Sequence, residues 1–471
     1  MSELVEQVPG AIGGPLAAPR IEGYLVASRD CEIDAVEAGA RLVAGLPGPY
    51  LVYERQGQVN VGIGAAAELV MTRHEIRFRA GDAGWRTVPL GEEPLQRIND
   101  LLNGCGIADW RAYGWVAFEL SFVLHGMPES AGDATLAHLI VPRSEARLDS
   151  HYAELRALTD AELADLYEKV GALAGLVAAD QGDQAPFTEV DDMVGYDNYR
   201  HNVEAAVRDI RSQRLQKVIL SRTVPVSGSI DLTDTYLAGR KGNTPARSFL
   251  LDVGGLQAAG FSPETVVEVD ADARVSTQPL AGTRALTGEK ALDDSLRAEL
   301  LSDPKEIFEH AVSVHGAQEE LRGICQDSSV SVEEFMGVSR RGSVQHLASR
   351  VSGHLSQSRN SWHALAALFP AVTASGLPKP EACDAIHRYE SQPRELYGGA
   401  VVMADADGSL DAALVLRTVF RRDDQTWLRA GAGVVVQSDP EREFEETREK
   451  LRSISQFLVS DTVPVEEEEQ Q

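Results

Sequence analysis

Short apolar runs separated by turn residues recur along most of this chain and outnumber its helix-patterned segments. That excess limits the possible folds more than any other feature. Tyr50-Leu-Val-Tyr, Gln58-Val-Asn-Val-Gly and Trp115-Val-Ala-Phe read as strands in the first half. Lys217-Val-Ile-Leu, Phe249-Leu-Leu, Val266-Val-Glu-Val, Val344–Val351, Ala400-Val-Val-Met, Ala413-Leu-Val-Leu and Gly433-Val-Val-Val continue the series. Turn dipeptides such as Asp407-Gly408 join some of them. Helices are expected over roughly 304–323, 363–369, 379–388 and 440–457, and Val203, Val207 and Ile210 fall at helical spacing ahead of Lys217. Tight turns join antiparallel strands, whereas regular βαβ winding requires a helix at each crossover. The expected class is therefore α+β, with large, mainly antiparallel sheets and flanking helices. No internal repeat of fixed period is visible.

At 471 residues the chain has room for two or three average domains, or for one large one. Residues 1–20, rich in Gly, Pro and Ala, read as a loose arm. Residues 21–190 form the N-terminal part of the fold, with a helical pattern over 151–180 and a linker at Gly182-Asp-Gln-Ala-Pro. Residues 193–459 form a second region, and 460–471, with Glu466–Glu469, read as an acidic disordered tail.

Lysine and arginine total 44 against 72 acidic residues, a net charge of −28. Such a balance disfavours nucleic acids and anionic membranes as partners. An anionic small molecule would need local cations to offset the field. The four cysteines (Cys31, Cys105, Cys325, Cys383) have neither paired nor metal-ligand spacing and read as reduced thiols. With no signal-peptide pattern and no apolar run of membrane-spanning length, the expected location is the cytoplasm.

Two segments open in the same way. Asp303 can cap a helix that begins at Pro304, on which Glu306, Glu309, His310 and Ser313 share one face. Ser438, with capping-box spacing to Glu441, precedes Pro440 and a helix on which Glu443, Glu446, Thr447 and Lys450 share one face. Carboxylates on two facing helices suit a hard divalent cation. The spacing alone leaves the simpler reading open, in which Glu306 completes its own cap and the other glutamates form a solvated face.

Other residues offer chemistry that is ambiguous one at a time. Lys217 leads an apolar run and suits a buried general base, or a strand-end lysine reaching solvent. Glu264 follows the turn signal Ser262-Pro263 and suits a general acid, or plain turn chemistry. Pro279-Leu-Ala-Gly-Thr-Arg and Arg429-Ala-Gly-Ala-Gly are small-residue segments whose backbone could approach an anion. Arg417, read as ending a strand, could pair a carboxylate, and His346 reads first as a structural histidine. No GxSxG, HExxH or Cys/His cluster supports a serine hydrolase or a zinc enzyme.

Taken together, and in this order, the segments resemble the chorismate-utilising enzymes, which include anthranilate, isochorismate and salicylate synthases. The likeness is carried by Lys217-Val-Ile-Leu-Ser-Arg, Ser262-Pro-Glu, Pro279-Leu-Ala-Gly-Thr-Arg, Lys305-Glu-Ile-Phe-Glu-His, Gly342-Ser-Val-Gln-His, Pro370-Ala-Val-Thr-Ala-Ser-Gly, Tyr397-Gly-Gly, Arg429-Ala-Gly-Ala-Gly and Glu441-Arg-Glu-Phe-Glu-Glu-Thr. Gly114-Trp-Val-Ala-Phe-Glu extends it into the first half. Within the family the chain is most similar to mycobacterial-type salicylate synthases of siderophore biosynthesis. Lys217 stands where water-adding members carry lysine and ammonia-using members glutamine, and Thr373 stands where isochorismate-releasing members tend to be apolar. Gln278, Asp303-Pro304 and Gln437 depart from the mycobacterial pattern, and Gln278 lies close to the active-site loop.

The resemblance implies the fold of anthranilate synthase component I and a set of roles. Lys217 would be the base and Glu264 the acid of water addition, with His346 and Thr373 orienting a later pyruvate elimination. Gly282, Thr283, Tyr397, Arg417, Gly431, Ala432, Gly433 and Lys450 would bind chorismate. Glu309 and Glu446, with Glu306 and Glu443 around them, would hold Mg2+. The implied product is salicylate, made without a glutaminase subunit by a monomer or weak dimer. The rivals are an isochorismate synthase that releases its product and a catalytically silent acidic binding protein.

Overall fold

The structure, a computed structural model, describes residues 23–174, 187–342 and 344–461. Two large sheets, of 11 and 12 strands, dominate it, and among the described residues every strand pairing within them is antiparallel. The α+β expectation holds. The sheets pack face to face as the middle of four layers. Strand periodicity shows why: in Tyr50–Arg55, Leu51 and Tyr53 point to the layer between the sheets, while Tyr50 and Val52 point outward. Phe249, Leu251 and Val253 point inward in the same way and meet Trp115, Val401 and Met403 of the other sheet. Helices Ala35–Val43, Asp160–Leu173 and Leu232–Gly242 cover the outer face of the first sheet; Pro94–Asn103 and Ser361–Leu368 cover that of the second.

The two halves of the sequence share both sheets. Tyr50–Arg55 pairs with Arg247–Val253, and Arg111–Val116 pairs with Ala400–Asp405. Residues 21–190 thus supply strands at the centre of the fold rather than a separate body. The expected arm at 1–20, the linker at 182–186 and most of the tail at 460–471 lie outside the described residues.

The elements that matter for chemistry are few. They are the strands β1 (Lys217–Pro225), β2 (Leu280–Ala285), β3 (Val344–His354), β4 (Thr418–Arg422) and β5 (Gln425–Val434), and the helices α1 (Pro304–Arg322) and α2 (Pro440–Ser455). β1 and β5 pair in the first sheet, β2 and β3 in the second. Helix α1 packs on β2 and β3, and α2 packs on β5.

Both helices start at a proline behind an aspartate cap. The Asp303 carboxylate accepts the Lys305 N–H at 2.9 Å. In α2 the cap is Asp439, which accepts from Glu441 N at 3.1 Å and Arg442 N at 3.0 Å. The expectation that Ser438 caps this helix is corrected: its hydroxyl turns back to accept from Val435 N. Other boundaries shift as well. The strand expected at Ala413-Leu-Val-Leu runs Leu410–Leu414, and the one expected at Gly433 runs Gln425–Val434. Arg417 does not end a strand but sits in the bend before β4, with φ 51°. The pattern at 151–180 resolves into a strand, Tyr152–Ala157, and a helix, Asp160–Leu173.

Candidate active site

The buried face of α1 changes character along its length. Near the N-terminus it carries Glu306, Glu309, His310 and Ser313; further on it carries Val314, Ala317 and Leu321. The apolar half anchors the helix, and the polar half faces a cavity between the two sheets. That cavity is lined by Lys217 of β1, Glu264, Gly282 and Thr283 of β2, Glu309 of α1, His346 of β3, Thr373, Tyr397, Arg417, Gly431 and Gly433 of β5, and Glu446 and Lys450 of α2. Residues spread over more than two hundred positions thus face one space. Three expected site residues do not line it. Ala432 points to the other side of β5, as strand alternation requires, and Glu306 and Glu443 stand behind Glu309 and Glu446.

Lys217 is fully buried, with Nζ 2.9 Å from Glu309 Oε1 and donating to Ser313 Oγ at 3.2 Å. Glu264 is buried across the same space. Its Oε2 accepts the Leu280 N–H at 2.7 Å, and its Oε1 accepts the Thr373 hydroxyl. Burial pushes its carboxyl up to about 7, against the pull of Thr373, Leu280 and Lys217. A carboxylic acid poised near neutrality beside a buried lysine is the pairing that acid–base chemistry requires.

Arg417 is buried, and burial with the nearby Arg341 lowers its guanidinium to about 10. It donates to the Arg341 carbonyl at 3.0 Å, and its Nη2 lies 2.7 Å from His346 Nε2. Among the described residues it makes no ion pair with a carboxylate, so its charge awaits an anion. Burial and the charges of Arg417 and Lys450 hold His346 well below its ordinary value. The neutral ring accepts from Arg417 at Nε2 and turns Nδ1 to Thr283 Oγ1 at 3.1 Å.

Strand β5 adds backbone donors. Its partners opposite Gly431 and Gly433 are Ser221 and Ile219, whose N–H groups bond away from β5, to Glu390 and to Ser375. The amides of Gly431 and Gly433 therefore also point away from β1, and β4 pairs with β5 only as far as Leu428. Lys450 Nζ donates to the Gly431 carbonyl at 2.9 Å and to Glu446 at 2.8 Å. A side chain at Gly433 would stand 2.4 Å from Glu309 Oε1, so only glycine lets that carboxylate approach the strand.

Residues 48–456 match the chorismate binding enzyme family. The chain belongs to this family. It is 41% identical over 414 residues to a salicylate synthase of Mycolicibacterium paratuberculosis, which covers 87% of this chain and 90% of that protein. It is 28% identical over 465 residues to anthranilate synthase component 1 of Mycobacterium bovis, covering 89% of each. Among solved structures, the menaquinone-specific isochorismate synthase of Escherichia coli superposes with a TM-score of 0.70 at 23% identity, covering 94% of this chain and 97% of that one. Anthranilate synthase component I of Streptococcus pneumoniae superposes with a TM-score of 0.70, covering 87% and 93%. These likenesses place the fold with that of anthranilate synthase component I.

In this chorismate-binding enzyme the four helix glutamates sit among cations. Glu306 accepts the Thr283 N–H at 3.0 Å and pairs with Arg284 at 3.1 Å, so it does not close its own helix cap. Glu443 is fully buried. One oxygen takes Lys305 Nζ at 3.0 Å, and the other has no hydrogen-bond partner among the described residues. Burial and the Glu446 charge push Glu443 up to about 7. Although burial opposes it, Lys450 and Lys305 hold Glu446 below its ordinary value. Among the described residues no three acidic or histidine side chains already form a metal-ligand set. The donors nonetheless fit a hard divalent ion, which takes one or two carboxylates and completes its shell from water and substrate. The unbonded Glu443 oxygen is a buried acceptor that a bound cation, or a water on it, would satisfy. Glu309 and Glu446, on the cavity wall, are the two placed to reach such an ion, with Glu306 and Glu443 behind them.

Lys305, Arg284 and Arg429 were assigned no role from sequence. Arg429 lines the cavity and pairs with Glu390 at 2.6 Å. Strand alternation offered the signal, because Arg429, Gly431 and Gly433 share one face of β5. Nothing local marks Arg284, whose role depends on an ion pair across 22 positions.

Proposed function

We propose that the protein is a salicylate synthase, which adds water to chorismate and then eliminates pyruvate from the bound isochorismate. The observation that carries this reading is the placing of Lys217 and Glu264 on one cavity that also holds Arg417, which has no ion-pair partner among the described residues. Chorismate is a dianion, and Arg417, Lys450 and the Gly431 and Gly433 amides offer one of its carboxylates a cationic, donor-rich seat. Lys217 removes a proton from the water that attacks ring C2. Glu264 gives its proton to the departing C4 hydroxyl, which leaves as water. Thr373 holds the Glu264 carboxyl through its hydroxyl, and His346 holds Arg417 in place for the elimination that aromatises the ring. Magnesium, held by Glu309 and Glu446 with Glu306 and Glu443 around them, would offset and orient the ring carboxylate. The 41% identity to a salicylate synthase supports this choice of product. Salicylate would feed a siderophore or another salicylate-capped metabolite.

The test is product analysis after incubation with chorismate and magnesium. Salicylate and pyruvate in equal amounts are expected, with activity lost in chelator. Isochorismate as the sole product would move the function to an isochorismate synthase, and full activity in metal-free buffer would remove the magnesium role.

A further inference from the structure

Ser313 shares the buried face of α1 with Glu306, Glu309 and His310, but it does not line the cavity between the sheets. It is fully buried, and the same face continues as Val314, Ala317 and Leu321. A serine there works against the helix. Ser is a poorer helix former than Ala. Its hydroxyl donates to the Glu309 carbonyl at 2.9 Å, a bond back along the helix of the kind that slightly destabilises it. The other partner of the hydroxyl is Lys217, whose Nζ donates to Ser313 Oγ at 3.2 Å.

That bond has a direction. A hydroxyl carries one proton, and that of Ser313 goes to the Glu309 carbonyl, so toward Lys217 it is an acceptor alone. Glu309 Oε1, from the residue one turn earlier on α1, is the second acceptor, at 2.9 Å. A single acceptor leaves an amine free to turn about its Cε–Nζ bond; two acceptors stop the turn. The amine that takes a proton from water has two N–H groups and one lone pair. With Glu309 and Ser313 holding the N–H groups, the lone pair takes the remaining tetrahedral position. Lys217 is only 1% exposed, and the open space it lines is the cavity. Such ordering has consequences for rate, because the lysine stem is flexible and a displacement of about 1 Å can cost roughly a hundredfold.

We propose that Ser313 is a positioning residue for the base, fixing the Lys217 amine so that its lone pair faces the water that attacks C2. The role rests on the proposed function, and it belongs to water addition alone. Elimination breaks the C2–H and C3–O bonds of isochorismate and forms one C–H bond on the enolpyruvyl methylene carbon. Its hydrogen balance closes within isochorismate, so that step needs no outside base and does not call on Lys217 or Ser313.

Two substrates given to Ser313→Ala test this, a change that suits the helix because Ala is the better helix former. With chorismate, kcat is expected to fall roughly ten- to a hundredfold. KM should stay unchanged, because Ser313 does not line the cavity. With isochorismate supplied directly, salicylate should form at the wild-type rate. Ser313→Thr puts the hydroxyl back and should restore turnover of chorismate. If the threonine lowers the melting temperature, the two-substrate comparison in Ser313→Ala decides alone. Equal losses on both substrates would make Ser313 a packing residue, and unchanged turnover of chorismate would leave it no role. Either result overturns the proposal, as does a Ser313→Thr variant that melts like the wild type without regaining activity. Chorismate left unconverted by the wild type would instead overturn the proposed function, and this role with it.

Discussion

Glu264 sets the pH behaviour expected of the site. Its carboxyl rises from an ordinary 4.5 to about 7 because burial disfavours its charge. As the proton donor it must be protonated, so kcat/KM should fall as pH rises above about 7. The same shift acts on stability. A raised folded-state value means a contribution that is full below about pH 4.5 and lost as pH climbs through 7. Glu264→Gln cannot ionise, so at pH 8 it should melt above the wild type, by at most roughly 3 kcal/mol of stability. The gap should nearly close at pH 5, and equal gaps at both values would contradict the assignment. Lys217 plays the opposite part. Lys217→Ala should lower turnover about 100- to 10,000-fold, the range for losing a general base, while calorimetry still detects chorismate. Turnover at the wild-type rate would sink the base assignment.

At the scale of elements, the site depends on α1 approaching β5 closely enough for Glu309 to reach Gly433. Gly433→Ala places a methyl group 2.4 Å from Glu309 Oε1. The variant should keep its circular dichroism and lose most of its activity, whereas normal activity would mean that Glu309 has no fixed place. Both acidic helices were legible in the sequence, because Asp-Pro starts and i, i+3, i+4 spacing are local signals. Ser438 and Asp439 illustrate the limit. Both are good caps by composition, and only the turn that ties Ser438 to Val435 decides between them. Helices Lys290–Ser302 and Leu232–Gly242 went unmarked, although Leu292, Leu296 and Leu300 of the first fall at helical spacing; of these three only Leu300 is buried. The convergence of Lys217, Glu264, Arg417 and Lys450 came from family likeness, since no local pattern relates positions so far apart. Of the glutamates' cation partners, Lys450 is local to Glu446, at i, i+4 within α2, whereas Lys217, Arg284 and Lys305 meet Glu309, Glu306 and Glu443 only through packing across elements.

For the whole molecule, the shared sheets make a mechanical claim. Tyr50–Arg55 and Arg111–Val116 lie inside the two sheets, each hydrogen-bonded on both sides to other strands. Calorimetric unfolding should therefore show one transition, and two separated transitions would mean that residues 21–190 fold apart from the rest. The charge balance makes another. A chain of net charge −28 offers a dianion a cavity in which Lys217, Arg429 and Lys450 are paired with glutamates and Arg417, among the described residues, is not. No helix among the described residues is long and apolar enough to cross a membrane. The central claim is that this pocket adds water to C2 of chorismate and then releases salicylate. Turnover of chorismate in H2 18O, read by mass spectrometry of the salicylate, tests it most directly. One 18O atom in the phenolic hydroxyl is the predicted result. Salicylate carrying no label, or no salicylate at all, would contradict the account.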